Sequence, residues 1–209
     1  MKEGNNGVTQ NTAQNIQFGA GTIHKGLKYT AGTGDSAGSW NFAQSLVGAT
    51  KGGSSVKITP EFYSVTPDGS TVAIKDFKRK VGETALMELN MLELTADLLK
   101  SAVIGKDGTS ADTNYSLIES KDSIAEGDYW ENIAFVGETL DGKNIIVILD
   151  NALCTSGLSL EGKNKEEGVG KYTFECHADA NTSLTTLPYR IYYPKRTTGN
   201  QSGGGTQQN

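Results

Sequence analysis

Histidine and cysteine are nearly missing from this chain of 209 residues, with two of each, and that scarcity thins the catalytic and metal-binding possibilities at once. Cys154 and Cys176 have neither CxxC spacing nor clustered histidines, so buried, reduced thiols are the expectation. His177 follows Cys176 directly; on a strand the two side chains point to opposite faces, which argues against a Cys–His dyad and makes His177 a solvent-facing residue. His24, in a glycine-rich segment, has no evident metal partner. Basic charge is also short: the net charge of −5 argues against a sequence-independent grip on nucleic acid. No apolar run reaches the roughly 18 residues of a membrane span, and Met1-Lys2 lead into polar residues, so synthesis and folding in the cytoplasm are expected, without membrane insertion. Proline is scarce at 4 residues while glycine reaches 26 without a collagen period, which suits many turns between short strands.

Several stretches resemble catalytic or ligand motifs and fail on inspection. In residues 48–53, GATKGG, the lysine precedes the glycine pair and a strand follows, whereas a phosphate loop needs Gly-Lys-Ser/Thr opening a helix. Residues 106–114 lack the spaced acids and final glutamate of a calcium loop. Glu88 and Glu93 fall on opposite faces of an ideal strand and do not form a carboxylate pair. No enzyme, metal or cofactor is expected. Three Asn-x-Ser/Thr tripeptides, at 114, 181 and 200, are read as coincidental in the absence of a secretory signal.

What is present is strand pattern and one helix. Residues 84–94 place Ala85, Met87, Leu89 and Met91 on one face, with Leu86, Glu88, Asn90 and Leu92 on the other. A helix over 95–104 follows, capped by Thr95, favoured by Asp97 in its first turn and released through a left-handed Gly105. Its apolar stripe is 98, 99, 102 and 103. Earlier, 16–28 reads as an irregular strand, 30–39 as a loop, 48–53 as a tight turn, and 55–65 as a strand in which Pro60 argues for an edge position or a bulge. Residues 66–82 form a long loop with a Pro67-Asp68-Gly69 turn and the densest basic stretch, Lys75, Lys78, Arg79 and Lys80. Later, 129–139 and 143–150 form a hairpin about Asp141-Gly142. The unbroken apolar run 145–149 marks a strand covered on both faces. Residues 153–160 and 171–180 make a second hairpin, and 187–194 a last strand. About eight short strands and one helix predict a mainly β, sandwich- or barrel-like domain over 16–194 with one flanking α-helix. Mobile ends are expected at 1–15 and 195–209.

The order of these segments resembles the major tail tube proteins of bacteriophages, in particular long-tailed phages of Gram-positive bacteria. The resemblance rests on IQFGAG (16–21), GATKGG (48–53) and VKITPEF (56–62), then the long loop, the strand and helix of 85–100, YWENIAFV (129–136) and NIIVILDNA (144–152). It continues through 157–161, 171–177 and 187–193, so it spans nearly the whole chain, although no single motif is diagnostic. It implies a small β-sandwich whose copies form six-membered rings. The rings stack into a hollow tube that passes DNA during ejection, bounded by tail terminator and tail-tip or tape-measure proteins, with the product located in the virion. It further implies that 66–82 docks on a neighbour through Asp68, Lys75, Asp76, Phe77, Lys78, Arg79 and Lys80, loose in the monomer and ordered in the tube. Acids such as Glu126 or Asp128 are its candidate partners, and Glu88 and Asn90 the candidate lumen residues of an acidic, phosphate-repelling wall. A contractile system's inner tube, in a phage or a phage-tail-like bacteriocin, shares this logic. A carbohydrate-binding or adhesin β-sandwich, with sugars stacked on Trp40, Trp130 and tyrosines, is the alternative of a different class.

Overall fold

The computed structural model describes residues 7–9, 11–162 and 164–196. In chain order the elements are β1 (Gln17–Lys25), β2 (Tyr29–Thr30), β3 (Ser39–Trp40), α1 (Phe42–Ser45), β4 (Thr50–Ser64), β5 (Lys78–Met91) and α2 (Ala96–Val103). They continue with β6 (Lys106–Gly108), β7 (Leu117–Glu119), β8 (Trp130–Thr139), β9 (Asn144–Cys154), β10 (Gly170–Cys176) and β11 (Tyr189–Tyr192). Seven strands form one antiparallel sheet in the order β1-β8-β9-β10-β5-β4, with β11 also paired to β9. The fold is mainly β and sandwich-like with one substantial helix, as the sequence pattern predicts. Its strands are longer than expected, since β4 has 15 residues and β5 has 14.

Hydrophobic burial bends this sheet over itself. Ile23 of β1 and Met87 of β5 have three strands between them, yet share one buried cluster with Leu98, Trp130, Leu149, Tyr172 and Phe174. The alternating face of β5 supplies Ala85, Met87, Leu89 and Met91, each at most 1% exposed. Leu46 bridges to His24 and the Val47 N–H donates to the Ile23 carbonyl at 2.9 Å, so the chain runs along the free edge of β1 before entering β4 at the opposite edge. Pro60 lies in that edge strand, where its missing N–H is tolerated. On the other side of β8 and β9, Ala134, Val136, Ile146 and Ile148 pack with Leu27 under Trp40 and Phe42. The run 145–149 is therefore covered on both faces. Asn151 takes a left-handed conformation (φ 48°), and beyond it the core-facing parity of β9 changes from Leu149 to Ala152 and Cys154.

Local details depart from the sequence pattern for identifiable reasons. Thr95 caps α2 as expected, accepting the Leu98 N–H at 3.3 Å. The left-handed exit, however, falls on Ile104 (φ 49°, ψ 51°), with Ile104 N–H on Ser101 O and Gly105 N–H on Lys100 O. Gly105 is needed for space instead: a Cβ there would sit 2.7 Å from Ile118 Cγ2, across from β7. Leu98 and Ala102 are buried, whereas Val103 is exposed and leaves the predicted stripe. Residues 48–53 are not a turn between elements; Gly52 and Gly53 form a bulged start to β4. Lys106–Gly108 pairs with β7 in a two-stranded ribbon of its own. Only Gly142 of the Asp-Gly pair has positive φ, giving a three-residue hairpin loop closed by Thr139 N–H on Lys143 O at 2.8 Å. β10 stops at Cys176 instead of reaching 180.

The ends of the body are pinned by polar contacts. Ala13–Asn15 forms a 3-10 turn, Tyr193 Oη donates to Asn15 Oδ1 at 2.7 Å, and Arg196 pairs with Asp141 and the Gln14 carbonyl. The ends expected to be mobile contain these contacts, at 13–15 and at Arg196. Their remainder at 1–6, 10 and 197–209, with the tripeptide at 200, lies outside the described residues.

One core residue carries a measurable cost. The Tyr172 hydroxyl is buried without a hydrogen-bond partner. Tyr172→Phe removes an unpaired polar group and keeps the ring, so stability is expected to stay level or rise by up to about 1 kcal/mol in urea denaturation. A clear loss of stability would show that the hydroxyl has a partner.

Candidate functional site

The β4–β5 hairpin outruns the sheet that supports it. β10 pairs with β5 only from Leu86 to Met91, whereas β4 follows β5 out to Ser64↔Lys78. The outer ribbon, Glu61–Ser64 against Lys78–Gly82, has no third strand. It reaches roughly 13 Å at about 3.3 Å per residue before its loop begins. Two turns order the loop: Ser70 N–H on Pro67 O at 3.1 Å with Gly69 left-handed, and Phe77 N–H on Ile74 O at 3.3 Å with Asp76 left-handed. Val65 N–H donates to Phe77 O at 2.9 Å and shuts its base. The expected loose loop over 66–82 is thus a β-arm with a folded tip, and residues 78–82 belong to a strand.

This arm exposes apolar side chains that a protein normally buries. Phe62, Tyr63, Val72, Ile74, Phe77 and Val81 are all exposed, Val72 to 73%. The basic residues are dispersed around them. Lys78 lies over the Phe62 ring at 4.7 Å, and Lys80 pairs with Glu83, whose buried carboxylate also accepts the Leu187 N–H at 2.9 Å. The Lys80 hydrogen bond and then the Leu187 amide hold the Glu83 carboxyl below its ordinary range. Lys75 and Arg79 are exposed, Asp68 sits in the first turn and Asp76 in the second. The structure brings the seven predicted arm residues onto one projection, but Lys80 is committed to its own chain.

Of the two acids expected to meet this arm, Glu126 is exposed. Asp128 is not available: its side chain is 11% exposed, bound to Lys121 and to the Ala125 N–H at 2.7 Å. Glu88 and Asn90 lie on the solvent face of β5, where Glu88 accepts from Ser55 Oγ at 3.2 Å and Asn90 donates to Gly53 O at 2.9 Å. Register puts Lys57, Lys171 and Glu175 on that same face, so its charges alternate in sign instead of forming an acidic wall.

Cys176, His177 and His24 each make hydrogen-bond contacts within the chain. Burial pushes the Cys176 thiol up to about 12, and its Sγ donates to Asp150 O at 3.2 Å. His177 is half-buried just past the end of β10, its Nδ1 against Glu175 O and its ring edge-on to Tyr129, so it is not the solvent-facing strand residue expected. Among the described residues no group of three or more His, Cys, Asp or Glu side chains is placed to hold a metal, and no helix is long and apolar enough to cross a membrane. His24 is 3% exposed, between Thr22 Oγ1 and Ser45 Oγ at 2.9 Å each. Ser45 Oγ donates to Asn41 O at 2.8 Å, which leaves its lone pair for a protonated Nδ1.

Burial lowers the His24 pKa from its ordinary 6.5, with a backbone contact at Phe42 opposing. As pH falls below 6.5 the unfolded chain takes the proton first, so the stability present above that value is lost on acidification. His24→Gln is expected to flatten this part of the stability profile below pH 6.5, read from urea midpoints. An unaltered slope would exclude His24 as its source.

A second surface includes Trp40, one of the aromatics expected to stack on sugars, among residues that lie far apart in the chain. Tyr29, Trp40, Glu131, Asp150, Arg190 and Tyr192 come from five strands and line a groove of about 870 Å³. No local motif unites them. Trp130, by contrast, is buried, with Nε1 donating to Ser101 Oγ at 2.9 Å, and is not a surface platform.

No protein-family model matches the chain, and a search of curated proteins found no match.

Proposed function

We propose that the chain is a structural subunit that assembles with copies of itself, in the manner of a phage tail tube: hexameric rings stacked into a hollow conduit for DNA, carried in the virion. The observation that carries this proposal is the β4–β5 arm, a two-stranded projection with apolar side chains exposed on a folded tip. A lone ribbon gains little stability in water, and contiguous exposed apolar surface marks a docking site. A heterologous contact of arm on neighbour, repeated around an axis, closes a ring; repeated along the axis, it makes a tube. DNA passes through without specific binding, consistent with the net charge of −5. Terminator and tip or tape-measure proteins would bound such a tube, as the resemblance implies.

Sedimentation velocity of Lys75→Glu/Arg79→Glu against the unaltered chain tests the arm as the docking element. Both positions are exposed, so the monomer is expected to fold normally while self-association weakens and its salt dependence changes. Identical association in both proteins would remove these charges from the interface.

A further inference from the structure

The groove outside β8 and β9 is a site of a different kind. Asp150, Glu131 and Tyr29 line it together with Trp40 and Tyr192, whose rings meet edge to face at 5.0 Å. Tyr29 lies 5.3 Å from Trp40 and remains more than half exposed. Trp40 is anchored from behind, stacked on Phe42 and packed on the second hydrophobic cluster. Tyr29, exposed and backed by a Trp40 that is itself held in place, is suited to stacking against a flat, partly apolar ring.

Four of the five charged residues lining the groove form two ion pairs; the fifth, Asp179, accepts the Asn181 N–H at 2.8 Å. Arg190 donates to Asp150 Oδ1 at 2.6 Å, and Lys28 Nζ lies 2.8 Å from Glu131 Oε1. Each cation here is therefore neutralised by a neighbouring carboxylate, which disfavours an anionic ligand such as a nucleotide. Each pair still presents spare N–H donors beside spare carboxylate lone pairs. Adjacent donors and acceptors of this sort match neighbouring hydroxyls, which both give and accept. Thr182 and Ser183 also line the groove and add hydroxyls, the Ser183 Oγ lying 2.8 Å from Thr186 Oγ1. Burial raises the Asp150 pKa and Arg190 opposes the shift, as at a carboxylate partly withdrawn from water. The volume lies within the roughly 300–1,000 Å³ of small-ligand clefts.

We propose that this groove binds a neutral oligosaccharide, with a sugar ring on Tyr29 and Trp40 and its hydroxyls on the Asp150–Arg190 pair. The groove is separate from the β4–β5 arm, so this site stands or falls independently of the assembly proposed above.

The test is an array of immobilised neutral hexose and N-acetylhexosamine oligosaccharides probed with the full chain and with Tyr29→Ala and Tyr29→Phe. Retention of at least one neutral oligosaccharide is expected, weakened about tenfold or more in Tyr29→Ala and kept in Tyr29→Phe, at unchanged melting temperature. Should Tyr29→Ala not fold, Arg190→Gln serves, with the same loss expected. Retention of no neutral saccharide, retention of anionic glycans alone, or binding unaffected by a folded Tyr29→Ala would each overturn the proposal. So would loss of self-association in Tyr29→Ala without any sugar bound, because the groove would then be a contact between copies.

Discussion

Cutting the arm back to its last ladder pair is expected to abolish self-association and leave the domain folded. Ser64 and Lys78 face each other across the ribbon, so Asn-Gly in place of residues 65–77 rejoins β4 and β5 through a two-residue turn. The excised segment carries Val72, Ile74 and Phe77, all exposed, and supplies nothing to either buried cluster. Its removal should therefore shift the stability of the monomer by no more than about 1 kcal/mol, since shortening a surface loop changes mainly closure entropy. Light scattering should report a monomer at every concentration where the intact chain associates. Association by the shortened chain would place the contact elsewhere. Lys80 stays in this design because its partner Glu83 also holds the Leu187 amide, and disturbing it would confuse docking with folding.

The second large effect is expected in the core. Phe174 is fully buried, lies between Met87 and Cys154 on neighbouring strands, and meets Trp130 at 4.4 Å between centroids. Phe174→Ala removes a ring that joins β10 and β5 to β8, and costs about 3–5 kcal/mol in comparable cores. That is a large share of the roughly 5–15 kcal/mol that separates folded from unfolded domains, and lowers the melting point by about 10 °C or more. A loss below about 1 kcal/mol would mean that the two halves of the sheet are not packed through Phe174. Because the docking surfaces are displayed by this core, the variant should also fail to assemble at temperatures where the intact chain does.

How far these features were legible in the sequence depends on the range of the interaction that creates them. The buried face of β5 follows from period-two alternation, and the start of α2 from Thr95, because both causes lie within a few residues. The end of α2 did not follow. Gly105 looks like the left-handed residue until β7 arrives from 13 positions away and claims the space where its Cβ would be, leaving Ile104 to turn the chain. The arm was visible as a long loop, but its inner residues 78–82 join a strand because β4 is long enough to pair with them. Trp130 was indistinguishable from a surface aromatic until α2 was seen to cover it, with Lys25 over its ring at 4.3 Å. The groove is the extreme case: Tyr29, Asp150 and Arg190 meet only through sheet topology.

Electron microscopy of negatively stained, purified protein across a concentration series tests the assembly account most directly. Hollow tubes or six-fold rings at high concentration, absent from the chain shortened at 65–77, are the predicted result. A population of compact monomers at every concentration, identical for the intact and shortened chains, would contradict it.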